Sequence, residues 1–425
     1  MAYPLLAFAI GFPMSRNAPT WDQWSLVPTF DAIDRGQPIA RLLFEPYNGQ
    51  HHPVARALMV GLGRLTDWNV RAEIALSYVL AAVCLGLFVR LAWETDRRLL
   101  ILAAPIAALV FSPHQYESFL SGYPVGQQLQ QLLWTAVLVV CTRSSLSGRH
   151  AIAAAALALC ATLSWAAGLT AWGIGFLALI VRRRDRPSWI VAWALAAGAL
   201  TLAVREAGRA VGPIALAKAP SFFLVLLGRE LSPVGWPTPG LVLALGLGLG
   251  VAILAILATA HRRLLGVLLP WTLCLAGSLG GAALIAVGRA ASALEQALAS
   301  HYATAVYPAI VATLVIGGKL LLDRTDRLAA SGRHWLGRRL APTILALASI
   351  TLVAQQALAA RQILLTLDGW VSLTGQRFDR LKAGEATDAD IHGSFHPDAD
   401  LVRREARTLR RLGYAGFGAV TSGLP

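Results

Sequence analysis

The sequence predicts an all-α polytopic membrane protein with about eleven transmembrane helices and helical loops at one membrane face. Three observations carry that expectation. The 425-residue chain is 56% hydrophobic and only 14% charged, whereas soluble domains run near ~25% charged. Its formal net charge of +14 sits in short clusters between long apolar runs, which is a membrane pattern and argues against nucleic acid as a partner. A bilayer leaves backbone polar groups no solvent partner, so long apolar runs must be helices.

In chain order the expected spans are 3–14, 70–92, 98–112, 124–141, 150–164, 167–181, 188–206, 239–260, 264–288, 302–322 and 342–364. The first, Tyr3 to Met14, is shorter than the roughly 17–25 residues a crossing needs. It has no basic residue ahead of it, so it does not read as a secretory signal. We read it as the end of a span whose start lies upstream. Pro105, Pro270 and the glycines between 240 and 250 fall inside spans, where they mark kinks or close packing. Cys84, Cys141, Cys160 and Cys274 lie in or beside apolar runs, as small buried side chains do. Their spacing suggests neither a metal site nor a disulfide framework.

Lys and Arg set the orientation. One series of connections is short and basic: Arg90, Arg97 and Arg98; Arg143 and Arg149; Arg182 to Arg184 with Arg186; Arg262 and Arg263; and 319–339, ending in Arg338 and Arg339. The alternate connections, 15–69, 113–123, 207–238 and 289–301, are longer and poorer in basic residues. The positive-inside rule puts the basic series in the cytoplasm. The N-terminus is then inside and the chain from Leu365 outside. The expected organisation is a membrane domain over 1–364, with a first outer loop of about 15–69, and a small outer tail over 365–425. The Ala-, Leu- and Arg-rich usage is that of a GC-rich bacterial genome. The expected location is therefore the bacterial inner membrane, with the long loops in the periplasm.

The polar residues that can carry chemistry gather in those outer loops. Asp22 lies between Trp21 and Trp24. It is either a general base held at the membrane surface or the N-cap of the helical pattern that follows. Glu45, His51, His52 and Arg56 form a second cluster. Adjacent histidines point apart on regular structure, and zinc needs three or four convergent ligands, so ligand spacing does not support a divalent metal. Arg56 can pair with a phosphate or with a loop carboxylate such as Glu45. His114, Tyr116 and Glu117, in Phe111–Glu117, either join a site with the first loop or belong to an interfacial belt. Arg289, His301 and Tyr302 flank the connection before the tenth expected span. Arg289 either neutralises a phosphate there or snorkels to the surface. No phosphate-cradling glycine loop, hydrolase elbow or nucleotide fingerprint occurs. The arginines of 403–411 read as a solvated face or an anionic-lipid contact.

Taken together, several segments resemble the GT-C membrane glycosyltransferases, the group that contains protein mannosyltransferases and the lipid A aminoarabinose transferase. The first-loop segments are Trp21-Asp22-Gln23, a helix ending Asp34-Arg35-Gly36-Gln37, Pro46-Tyr47-Asn48-Gly49, His52-Pro53 and Trp68-Asn69-Val70-Arg71-Ala72. Phe111–Glu117 and Gly288–Tyr302 look like segments of uncharacterised bacterial members. The resemblance implies a polyprenyl-phosphate-linked sugar as donor, a periplasmic acceptor, and a catalytic carboxylate in the first outer loop, matched only by Asp22. It departs from the family in three places. Asp22-Gln23 stands for an acidic pair, His51-His52-Pro53 for Lys-Pro-Pro, and His301 for an arginine. The resemblance implies Asp22 as base, Arg289, His301 and Arg56 as phosphate holders, and Glu117 as the group orienting sugar or acceptor. The competing expectation is a transporter or lipid-linked glycan flippase, whose polar sites would lie near the bilayer midplane.

Overall fold

The computed structural model describes residues 2–45, 51–143, 145–182, 186–206, 213–232, 242, 245–250, 265–289, 291–330 and 334–418. Most of the expected span 239–260, and Pro46-Tyr47-Asn48-Gly49, lie outside them. Among the described residues the chain is helical throughout, with no strand. The first loop contains α2 (Val27–Asp34), α3 (Ile39–Leu43) and α4 (Pro53–Leu65), after α1 (Ala2–Met14). Then come α5 (Val70–Thr95), α6 (Ala103–Val110), α7 (Tyr116–Leu120), α8 (Val125–Cys141), α9 (Gly148–Thr162), α10 (Thr170–Arg182), α11 (Pro187–Glu206) and α12 (Pro213–Gly228). The chain closes with α13 (Leu265–Arg289), α14 (Ala303–Ala330), α15 (His334–Ala383), α16 (Asp388–His392) and α17 (Ala399–Leu412).

Five stretches among the described residues are long and apolar enough to cross a membrane: Val70–Thr95, Arg97–Leu120, Gly266–Arg289, Ser300–Leu328 and Leu340–Ala383. Tyr3–Met14, Gly148–Thr162, Ala166–Arg182 and Pro187–Leu202 are apolar but shorter. At ~1.5 Å per residue, the stretch Tyr3–Met14 covers about 18 Å of a hydrocarbon core near ~30 Å thick. Local chemistry sets the ends. The Asn69 side chain accepts the Arg71 N–H at 3.1 Å and starts α5, and Gly413, at φ 73°, ends α17.

The bundle interior carries a polar ladder. Gln131 reaches Thr135, Thr135 lies 3.3 Å from the Cys84 sulfur, and Cys84 lies 3.5 Å from the Tyr307 hydroxyl. These groups tie α5, α8 and α14 together where apolar surroundings offer no other partners. At one end of the bundle, Asp96 accepts from Arg98 and Lys319, Arg98 also pairs with Asp326, and Lys319 with Asp323. This network fixes the turn after α5 against α14. The connections at the other end carry the candidate site.

Two features differ from the expectation. The connection 207–238 contains α12, most of it apolar and partly buried. The tail is not set apart at 364: α15 continues through that point to Ala383, and the following segments fold back over the first loop. There Arg411 pairs with Asp31 and Asp34. Phe30 meets Tyr414 edge-on at 5.3 Å, and the Ala415 N–H donates to the Asp67 carbonyl at 2.9 Å. Part of the basic face of α17 is thus spent on packing, Arg410 donating to the Lys382 carbonyl at 2.6 Å.

Candidate functional site

The segment bearing Asp22 is held from below by a buried clamp. Gln23 and Glu73 are both fully buried. The Gln23 amide donates to Glu73 Oε2 at 2.7 Å, while its oxygen accepts the Thr20 N–H at 3.2 Å. The Trp68 indole donates to the other Glu73 oxygen at 3.0 Å. Gly122 lets this happen, because a Cβ there would lie 2.2 Å from Glu73 Oε2 and 2.5 Å from Gln23 Nε2. Above the clamp, Trp21 adopts a left-handed φ of 50°, strained for an aromatic residue. Its N–H donates to the Phe395 carbonyl, so the tail holds the strained turn. Thr20 is the N-cap of the short helix Trp21–Leu26, and Asp22 lies within that helix.

A second carboxylate faces the same space. Glu117, in the first turn of α7, accepts from His301 Nδ1 at 2.8 Å and from the His301 N–H at 3.3 Å. The Glu117 N–H donates to Ser300 Oγ at 3.0 Å. Arg289, the last residue of α13, lies within electrostatic reach of the Tyr302 hydroxyl, as do Glu117 and Asp22.

These groups line one cavity of about 540 Å³. Of the residues singled out from the sequence, Asp22, His52, Tyr116, Glu117, Arg289, His301 and Tyr302 line it. Trp21, Tyr123, Trp165 and Trp370 make its wall strongly aromatic. His52 stacks on Trp165 at 5.0 Å and 10°. Burial, with the charge of Arg56 and then His51, pushes its imidazole down to about 4, so it is neutral at physiological pH.

Four candidates do not reach the cavity. Arg56 is buried and donates to the Glu45 carbonyl at 2.8 Å and to Thr29 Oγ1 at 2.7 Å. It ties the first loop together, and its expected phosphate role finds no support here. Glu45 is exposed and contributes its carbonyl to that tie. His51 is occupied by the Phe44 carbonyl at 2.7 Å. His114 is buried behind the wall, where its carbonyl accepts from Arg229 at 3.0 Å. Among the described residues no group of three or more His, Cys, Asp or Glu is placed to hold a metal ion.

Sequence reasoning missed Arg229, Glu230 and Glu73, and named Gln23 only as a departure from an acidic pair. Arg229 is buried and bridges the carbonyls of His114 and Ala299. It thereby locks the loop bearing Glu117 to the loop bearing His301. Next to it, Ser112 Oγ lies 2.7 Å from Glu230 Oε2 and 2.9 Å from Gln356 Oε1. One hydroxyl proton serves only one of those oxygens. A proton on Glu230 completes the set, in line with burial raising that carboxyl to about 7. The available signal was an Arg-Glu pair directly after the apolar run 213–228.

A second space adjoins the cavity. It is an apolar groove of about 540 Å³ between α1, which presents Tyr3, Leu6, Ala7, Ile10, Gly11 and Met14, and α15. Tyr116, Leu120 and Leu367 line both spaces. Comparison with protein-family models, with curated proteins and with solved structures gives no match.

Proposed function

We propose that this chain is a membrane glycosyltransferase of the GT-C kind. It moves a sugar from a polyprenyl-phosphate donor to an acceptor hydroxyl, on a glycan, lipid or protein, at the periplasmic face of a bacterial inner membrane. In this reading the chain crosses about eleven times, with its N-terminus inside and its tail outside. The observation that carries the reading is that a cavity lined by two carboxylates, Asp22 and Glu117, shares Tyr116, Leu120 and Leu367 with an apolar groove. A lipid-linked sugar needs both, side by side.

The chemistry follows from the groups present. The donor is already activated, so no nucleotide site is required. The Asp22 carboxylate takes the proton of the acceptor hydroxyl as that oxygen bonds to the anomeric carbon. The bond from that carbon to the phosphate oxygen breaks, and the configuration inverts. The departing phosphate gains negative charge, which Arg289 is placed to offset. Glu117, fixed by His301, accepts hydrogen bonds from sugar or acceptor hydroxyls. The aromatic wall offers ring faces for a sugar to stack on.

The competing transporter reading would place its polar site near the bilayer midplane. The cavity among Gln130, Gln131, Trp134 and Ser278 holds only about 10 Å³, barely room for one water. The test is mass spectrometry of envelope glycans and lipids from a deletion strain, complemented with wild type or with Asp22→Asn. One glycan or lipid species should lose a sugar in the deletion, and only wild type should restore it. Full restoration by Asp22→Asn would remove Asp22 as the base. An unchanged glycan profile in the deletion would count against the transferase.

A further inference from the structure

Arg361 stands out in the apolar groove. It lies on α15 among Ala357, Ala360, Leu364 and Leu365, across from Leu6 and Ile10 of α1. It is exposed and lines that groove, and among the described residues it forms no salt bridge or hydrogen bond with another side chain. A guanidinium among apolar side chains at membrane depth is kept where an anion or water meets it. Leu367, shared by groove and cavity, lies six residues further on, or about 9 Å along the helix. A phosphate ester carrying one sugar ring is of a size to fill that interval.

We infer that Arg361 holds the phosphate of an isoprenyl phosphate whose chain lies in this groove. The inference rests on the donor chemistry proposed above and adds a residue that determines donor specificity. A planar guanidinium engages two phosphate oxygens at once. A neutral isoprenoid of the same length would find the same apolar walls but nothing for the arginine.

The test uses the full chain in phosphatidylcholine nanodiscs, with farnesyl phosphate and farnesol as probes and native mass spectrometry as the readout. Wild type should prefer farnesyl phosphate. Arg361→Ala should weaken farnesyl phosphate by roughly 10-fold or more, as expected for a lost hydrogen bond to a charged group. Farnesol binding should not change, which shows the groove intact, and Arg361→Lys should recover part of the loss. If Arg361→Ala binds farnesyl phosphate like wild type while Arg289→Ala does not, the inference about Arg361 fails and the donor chemistry stands. If wild type binds both probes equally, or neither, the donor reading itself fails. Equal competition by phosphatidylglycerol would make the site a general headgroup contact and overturn the specificity claim.

Discussion

Gly122→Ala is the sharpest probe of how the Asp22 segment is positioned. The new methyl would stand 2.2 Å from Glu73 Oε2, 2.5 Å from Gln23 Nε2 and 2.9 Å from Val70 Cγ1. Side-chain ends usually yield to such an intrusion, but these two are buried and pinned at their other atoms. Thr20 holds the Gln23 oxygen and the Trp68 indole holds the second Glu73 oxygen. The methyl therefore enters by parting the 2.7 Å bond between Gln23 and Glu73. Leaving a buried polar group unsatisfied costs ~1–3 kcal/mol, and overpacking adds ~1–3 kcal/mol. The expected loss is about 2–6 kcal/mol. At about 2 °C per kcal/mol, the low end of the range for domains of 150–250 residues, the Tm should fall by roughly 4–12 °C. Thermal unfolding in detergent, followed by tryptophan fluorescence, measures it. The double variant Gln23→Ala/Gly122→Ala gives Glu73 room to move. It should be less destabilised than the sum of the single variants by ~1 kcal/mol or more. A Tm within about 1 °C of wild type, or strict additivity, would refute the clamp.

Asp22→Asn keeps the shape of the side chain and removes the base. Sugar transfer should fall by ~10²–10⁴-fold with the Tm unchanged, and a matching fall in Tm would assign Asp22 a structural role instead. Arg229→Leu strands the buried carbonyls of His114 and Ala299, so it should destabilise by ~1–3 kcal/mol for each stranded group. Arg229→Lys, which preserves the charge, should be milder in the same unfolding assay, and equal damage from both would speak against the bridge. His52 supplies a pH signature, because its value drops from an ordinary 6.5 to about 4 on folding. Between those values the unfolded chain holds the proton and the folded chain does not. Stability is thus full above 6.5 and declines as pH falls toward 4, by roughly 3 kcal/mol at most. His52→Phe keeps the stack on Trp165 and should flatten that acid limb; a limb of wild-type slope in the variant would place its origin elsewhere.

The helical character of the chain was legible because hydrophobicity is a property of each run by itself. The described helices Val70–Thr95, Val125–Cys141, Pro187–Glu206 and Leu265–Arg289 begin and end within a few residues of the runs read from the sequence. The end of the bundle at which Asp22, Glu117, Arg289 and His301 sit was legible too, since successive helices must alternate direction. Which of them meet was not. Glu117 and His301 are 184 residues apart, and helical periodicity names the face a residue lies on but not the neighbour across from it. Arg56 shows the limit: its chemistry suited a phosphate, and the fold used it to tie Glu45 to Thr29. Arg229 shows the converse, since a charge that the sequence reading did not single out bolts two site loops together. Local composition sets where helices form, because backbone and solvent decide that locally. Only the packing of distant segments decided the cavity, the groove and the tail that closes over Trp21, because such contacts depend on the closure of loops the sequence does not describe.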